Sequence, residues 1–225
     1  MTETRTDPVL QQCSRHFRAH GYSVLRGVLS PSEAELCAGY ALLQSRTEGY
    51  YAIEQPLIAR GRYADALSEA LLLRVLPLME KVAGESLFPC YSYLRIYQNG
   101  AELPAHLDRP SCEISTSLTL GSDGRAPWPL CVKADGQDLA LQLAPGDMLA
   151  YRGAELPHWR ERFEGRHWIQ VFLHYVRAEG PYADYRFDGR EHIGPFDPAR
   201  QRRRLPADQP GAAIPPAHPD AGTDG

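Results

Sequence analysis

PCYSYLRIYQNGAELPAHLDRPSCEISTSLTLG, residues 89–121, is where the texture of this 225-residue chain changes. Two runs rich in aromatic and β-branched residues, 91–97 and 114–120, flank a Gln98-Asn99-Gly100 turn and the short segment His106-Leu107-Asp108. Runs of that length and composition, bounded by turn residues, read as strands. The pattern continues downstream through 130–133, 139–143, 148–151 and 168–175. The breaks between them, Gly121-Ser122-Asp123-Gly124, Ala134-Asp135-Gly136 and Ala144-Pro145-Gly146-Asp147, are turn chemistry. Many short strands at close spacing predict a mainly β fold, an all-β barrel or a double-sheet jelly roll.

Upstream the period is helical. Residues 21–29 alternate as a strand, and Ser30-Pro31-Ser32-Glu33 then supplies an N-cap, a proline at the first helical position and a capping-box glutamate. A helix is expected from about 31 to 44. Residues 50–62 look irregular, and 64–82 carry apolar residues at helical spacing with Gly84 as the stop and Pro77 as a kink or a division. The expectation is one domain over 1–205, with a helical part at about 10–85 packed against a jelly-roll core at about 89–176. The Pro-, Gly- and Asp-rich end, 206–225, has little to bury and reads as a disordered tail. The basic run Arg200, Arg202, Arg203, Arg204 before it reads as a solvated helix end. The aromatic and charged stretch 180–190 would suit a lid or a dimer contact, or simple packing over the sheet.

Lys and Arg number 24 against 28 Asp and Glu, a net charge of −4, which is too balanced for a surface built to neutralise phosphates. No nucleic-acid partner is expected. The five cysteines are scattered without a C-x-x-C pair, so they imply neither a zinc cluster nor a disulfide framework. The first residues lack a signal-peptide pattern, and no apolar run approaches the ~20 residues needed to span a bilayer. A cytoplasmic protein with no membrane partner is expected. The oligomeric state stays open, a homodimer included.

His106 and Asp108 stand two residues apart, and in a strand that spacing turns both side chains to one face. His158 follows the 148–151 strand after a short loop and could return beside them. Two histidines and a carboxylate on one face of an octahedral ion leave three positions open, as non-haem iron(II) oxygen chemistry requires.

Residues 93–108, in which Tyr97, Gly100 and then His106-Leu107-Asp108 follow in order, resemble the prolyl 4-hydroxylase-like group of 2-oxoglutarate/iron(II) oxygenases. The Pro145-Gly146-Asp147 turn, His158 and Gly165-Arg166-His167-Trp168 resemble the second half of the same pattern. The similarity spans about 91–175, and the strand and helix at 21–44 are similar in style. The resemblance implies a jelly roll, iron(II) on His106, Asp108 and His158, and 2-oxoglutarate as co-substrate, decarboxylated to succinate. It further implies hydroxylation of a C–H bond in an amino-acid-like small molecule or a peptidyl residue, with ascorbate as a candidate reductant. Asp108 matters here because related halogenases leave that ligand position to halide.

The family pattern places an Arg or Lys nine or ten residues past the last histidine to meet the distal carboxylate of the oxo-acid. Here those positions hold His167 and Trp168. Arg166 and His167 are the first candidates for the role, Arg160 the next, with Arg95 also in reach. Tyr97 matches a family tyrosine lining the oxo-acid pocket. Arg109, Glu113, Tyr91, Tyr93, Arg95, Trp128 and His174 are candidates to flank the primary substrate. The alternatives are a non-catalytic jelly-roll protein that binds a metal or small ligand, and a zinc hydrolase using the same three ligands.

Overall fold

The computed structural model describes residues 8–123 and 128–195. Among them, the helices are α1 (Pro8–His20), α2 (Pro31–Gln44) and α3 (Ala66–Ala83). The strands are β1 (Tyr22–Leu25), β2 (Ala52–Glu54), β3 (Ala59–Tyr63), β4 (Leu87–Gln98), β5 (Leu103–His106), β6 (Ile114–Ser122), β7 (Leu130–Ala134), β8 (Gln137–Leu141), β9 (Met148–Tyr151), β10 (His158–Arg160) and β11 (His167–Arg177). They form a seven-stranded sheet, β1-β9-β6-β11-β4-β3-β2, and a four-stranded sheet, β5-β10-β7-β8. The fold is the expected double-sheet jelly roll with helices packed on one side.

Period-2 alternation decides which face of the large sheet does what. Leu94 and Ile96 of β4, with Ile169, Val171 and Leu173 of β11, face the helices and pack with Leu71, Leu72, Val75 and Met79 of α3. Their neighbours in sequence face the other way. Across β4 and β11 the opposed pairs on that second face are Tyr91 and His174, Tyr93 and Phe172, Arg95 and Gln170, and Tyr97 and Trp168. The small sheet covers part of this face, with Leu130 and Val132 of β7 packed on Leu149 and Tyr151 of β9. A layer of aromatic and polar side chains is thus enclosed between the two sheets.

The start of α2 forms as its sequence predicts. Ser30 Oγ accepts from the Glu33 amide at 3.3 Å, while the Glu33 carboxylate accepts from the Ser30 amide at 2.8 Å. In α3 the Asp65 carboxylate caps the amides of Leu67 and Ser68, and Gly84 ends the helix in the left-handed region at φ 81°. Of the two outcomes expected at Pro77, a kink or a division, the division does not occur: α3 runs unbroken through it. Pro77 sits on the exposed side, and the carbonyl it leaves without a donor belongs to Leu73, which is also exposed and open to water.

Residues 50–62 depart from the irregular reading. β2 and β3 form a hairpin that extends the large sheet, with β3 on β4. Their strands are only 3 and 5 residues long, too short for alternation to show. Helix α1, which no capping signal announced, covers α3 and β1, burying Phe17. The helical part therefore contains three strands of the large sheet as well. Residues 183–189 pack on β4 and β11 rather than standing off as a lid. The expected tail at 206–225 and the arginines of 200–204 lie outside the described residues. No helix among the described residues is long and apolar enough to cross a membrane.

Candidate metal centre

His106 and His158 meet because β5 and β10 pair antiparallel with these two residues directly opposed. Their ring centroids are 4.3 Å apart. Asp108 joins them by a different route from the one the two-residue spacing suggests. β5 ends at His106, and Asp108 lies past the strand, its amide donating to the Gly153 carbonyl at 2.9 Å. Gly153 is required for space: a Cβ there would fall 2.2 Å from Asp108 Oδ2 and 2.7 Å from the Cys112 carbonyl. The loop after β9 thus seats the carboxylate.

Asp108 Oδ1 lies 3.7 Å from His106 Nε2 and 3.6 Å from His158 Nε2. The ligand atoms of these three residues all fall within 4.8 Å of one another. Each imidazole is oriented by its other nitrogen, His106 Nδ1 on the Pro104 carbonyl at 2.9 Å and His158 Nδ1 on the Leu156 carbonyl at 3.0 Å. A carbonyl only accepts, so the proton stays on Nδ1 and both Nε2 lone pairs are presented to the shared point. Two imidazole nitrogens and one carboxylate oxygen fit a first-row divalent ion.

The charges agree with that reading. Burial raises the Asp108 carboxyl, but the hydrogen bond and charge of His158, followed by His174 and His106, overcome it and hold the group at about 2. Burial lowers His158, yet Asp108 and the Leu156 carbonyl raise it overall. His106 is lowered by burial and by the proximity of His158. A permanently ionised carboxylate between two imidazoles is a site for a cation.

A second grouping, Asp108 with Cys112 and His174, shares the carboxylate. Burial pushes the Cys112 thiol up, so it carries its proton, and its sulfur contacts the Tyr91 hydroxyl at 3.1 Å. Burial also lowers His174 to about 4, which keeps it neutral. The Ser115 hydroxyl stands 2.9 Å from His174 Nδ1, 3.1 Å from Asp108 Oδ2 and 3.0 Å from the Cys112 carbonyl. This group supports Asp108 from behind, and the pair of histidines faces it from the front.

The other sequence candidates separate clearly. Tyr97 is fully buried, with its ring against Trp128 and its hydroxyl accepting from Arg95 at 3.2 Å. Arg95 donates through Nε and Nη2 to Glu54 at 2.7 and 2.9 Å, and Tyr93 donates to the same carboxylate at 2.8 Å. Burial works against the Arg95 charge, but Tyr97 and Glu54 more than compensate and raise its pKa. Arg109 pairs with the buried Asp188 at 3.1 Å and lies over the Tyr91 ring. Glu113 holds Arg177 Nε and the Arg177 amide at 2.7 and 2.8 Å, tying down the end of β11.

Arg166 is exposed, and only its amide is engaged, by Asp123 at 2.7 Å. His167 begins β11 on the face shared with Ile169, which is the helix side. Arg160 is 1 % exposed, reaching from β10 to the Trp128 carbonyl and to Gln170 Oε1 at 2.5 Å. Its guanidinium lies 4.4 Å from the Trp128 ring and 5.4 Å from Trp168. Trp128 itself donates to the Glu161 carbonyl at 2.6 Å. Gly153, Ser115, Gln170, Glu54 and Asp188 were not singled out by the sequence.

The architecture is a jelly roll shared with solved structures that include a member of the 2OG-Fe(II) oxygenase family. These structures also include a prolyl-4-hydroxylase from Pseudomonas putida, 17 % identical, with a TM-score of 0.63 over 75 % of this chain and 98 % of that one. The epimerase SnoN of nogalamycin biosynthesis, in complex with Fe3+, alpha ketoglutarate and nogalamycin RO, is 15 % identical, with a TM-score of 0.67 over 89 % of this chain and 97 % of that one. HygX from Streptomyces hygroscopicus, with nickel, 2-oxoglutarate and hygromycin B bound, is 14 % identical, with a TM-score of 0.59 over 75 % and 87 %. No protein-family model matches the sequence, and no curated protein does.

Proposed function

We propose that this chain is an iron(II)- and 2-oxoglutarate-dependent dioxygenase that hydroxylates a C–H bond of an amino-acid-like small molecule or a peptidyl residue. The observation that carries the reading is the meeting of His106 Nε2, His158 Nε2 and Asp108 Oδ1 inside a jelly roll, with each imidazole pre-oriented by a backbone carbonyl. Iron(II) with 2-oxoglutarate, when bound, supplies activation of dioxygen at the cost of decarboxylating the oxo-acid to succinate.

The chain's own residues do the rest. His106, Asp108 and His158 hold the metal from one side, leaving the remaining positions for the oxo-acid and dioxygen. Ser115, Gly153 and His174 fix the Asp108 carboxylate, and its presence leaves no protein-side vacancy for halide, which favours hydroxylation over halogenation. Tyr97, Trp128, Phe163 and Trp168 form an apolar wall that excludes water beside the centre. His106, with 38 % of its side chain exposed against 3 % for His158, marks the side from which a substrate reaches the metal.

The test is succinate formation by protein reconstituted anaerobically with iron(II), then given 2-oxoglutarate, dioxygen and panels of amino-acid-like compounds and peptides. Turnover should need all three components and vanish in Asp108→Ala. Failure to consume 2-oxoglutarate with any panel member, or hydrolytic activity with zinc and no oxygen, would overturn the proposal.

A further inference from the structure

Cys112 differs from other cysteines of the chain in what its sulfur meets. The Cys13 and Cys90 thiols donate to backbone carbonyls, of Val24 at 3.7 Å and Phe88 at 4.0 Å. The Cys112 sulfur contacts the Tyr91 hydroxyl at 3.1 Å, and it shares a grouping of ligand-type atoms with His174 and Asp108. A thiol and a phenol, both readily oxidised side chains, therefore touch one another directly behind the carboxylate that faces His106 and His158.

Both partners are held in place. The Tyr91 ring has His174 at 4.4 Å, the Arg109 guanidinium at 4.6 Å and Tyr63 at 5.2 Å, and both Tyr91 and Cys112 are buried. Tyr91 belongs to β4, while Cys112 ends the short turn Pro110–Cys112 that follows Asp108. Their contact joins the large sheet to the loop that carries the carboxylate, so a covalent bond there would fasten that loop. Of the ring carbons that carry hydrogen, the two Cε atoms are nearest the hydroxyl oxygen. They are also where loss of an electron from a phenol leaves the ring reactive.

Resting on the iron and oxo-acid reading above, we propose that Tyr91 and Cys112 are a self-modification site, joined by a thioether bond between Cys112 Sγ and a Tyr91 Cε. The S–H bond of Cys112 and one Cε–H bond of Tyr91 break, and the Sγ–Cε bond forms. The two electrons and two protons released pass to dioxygen. 2-Oxoglutarate contributes the other electron pair as it loses carbon dioxide. Each cross-link thus consumes one dioxygen and one 2-oxoglutarate, and yields succinate, carbon dioxide and one water.

The experiment is mass spectrometry and thiol counting on the full chain, prepared anaerobically with iron(II) and 2-oxoglutarate and then exposed to dioxygen with no other substrate. Every sample is reduced and denatured before it is read, which reverses any disulfide. Wild type should become lighter by about 2 Da, for two hydrogens, and not heavier by about 16 Da for each oxygen added at sulfur. It should lose one of its five thiols and give a digest fragment in which residues 91 and 112 are joined. Tyr91→Phe, Cys112→Ser and Asp108→Ala should each keep their mass and all the thiols they start with. Wild type that develops the iron(II)–oxo-acid absorption band yet keeps its mass and five thiols would overturn the assignment. Thiol loss that persists in Tyr91→Phe, or oxygen added at Cys112 in wild type, would do the same. Wild type that develops no such band would instead overturn the reading on which the assignment rests.

Discussion

Arg109 and Arg160 flank the same candidate metal-binding residues and are treated in opposite ways. Arg109, next to Asp108, is locked to Asp188, which has 0 % side-chain exposure and also accepts from Tyr63 at 2.5 Å. Arg160, next but one to His158, is buried as deeply and meets only neutral oxygens. Burial pulls the Arg160 pKa down to about 10, with no neighbouring carboxylate to reverse it, whereas Tyr91 and Asp188 overcome the same penalty at Arg109 and raise it. The Arg109 side is closed by a carboxylate, and the Arg160 side, among the described residues, by neutral oxygens.

That contrast is most exposed to failure in stability. Asp188→Ala should destabilise the metal-free protein by about 3–5 kcal/mol in urea unfolding, since it removes the carboxylate paired with a buried guanidinium. Arg160→Met, which removes a buried charge with no acid partner, should cost about 1 kcal/mol or less. Similar losses in the two variants would erase the distinction. Asp108→Ala should lower divalent-metal affinity by more than about 100-fold in equilibrium dialysis. Ser115→Ala should weaken it by about 10-fold with the fold retained by circular dichroism, because the carboxylate loses one support while the Asp108 backbone amide still donates to the Gly153 carbonyl. The smallest effect is expected far from both regions: Ser30→Ala should cost about 1 kcal/mol of stability and leave metal affinity untouched.

The parts of this organisation that the sequence displayed are those written in local chemistry. The Ser30 to Glu33 capping box, the Gly84 stop and the long alternating strands β4 and β11 were all legible because neighbours along the chain decide them. The meeting of His106, Asp108 and His158 was legible once strands were placed around them. Its actual geometry was not, since Asp108 is set by a glycine 45 positions later, which contributes a backbone carbonyl and the absence of a Cβ. Gly61 is similar: a Cβ there would lie 2.2 Å from the Tyr93 hydroxyl, so the short β2–β3 hairpin can close over Tyr93 and bring in Glu54. Asp188 lies in a stretch with Phe187 and Gly189 at positive φ, and no periodic pattern marks such a segment.

The central claim, that His106, Asp108 and His158 form an iron centre able to chelate an oxo-acid, is most directly tested by the visible absorption of the anaerobic iron(II) protein as 2-oxoglutarate is added. Chelation of an oxo-acid by iron(II) gives a charge-transfer band, and wild type should develop one at a single equivalent of iron while His158→Ala does not. Absence of the band in wild type, or an equal band in His158→Ala, would contradict the assignment.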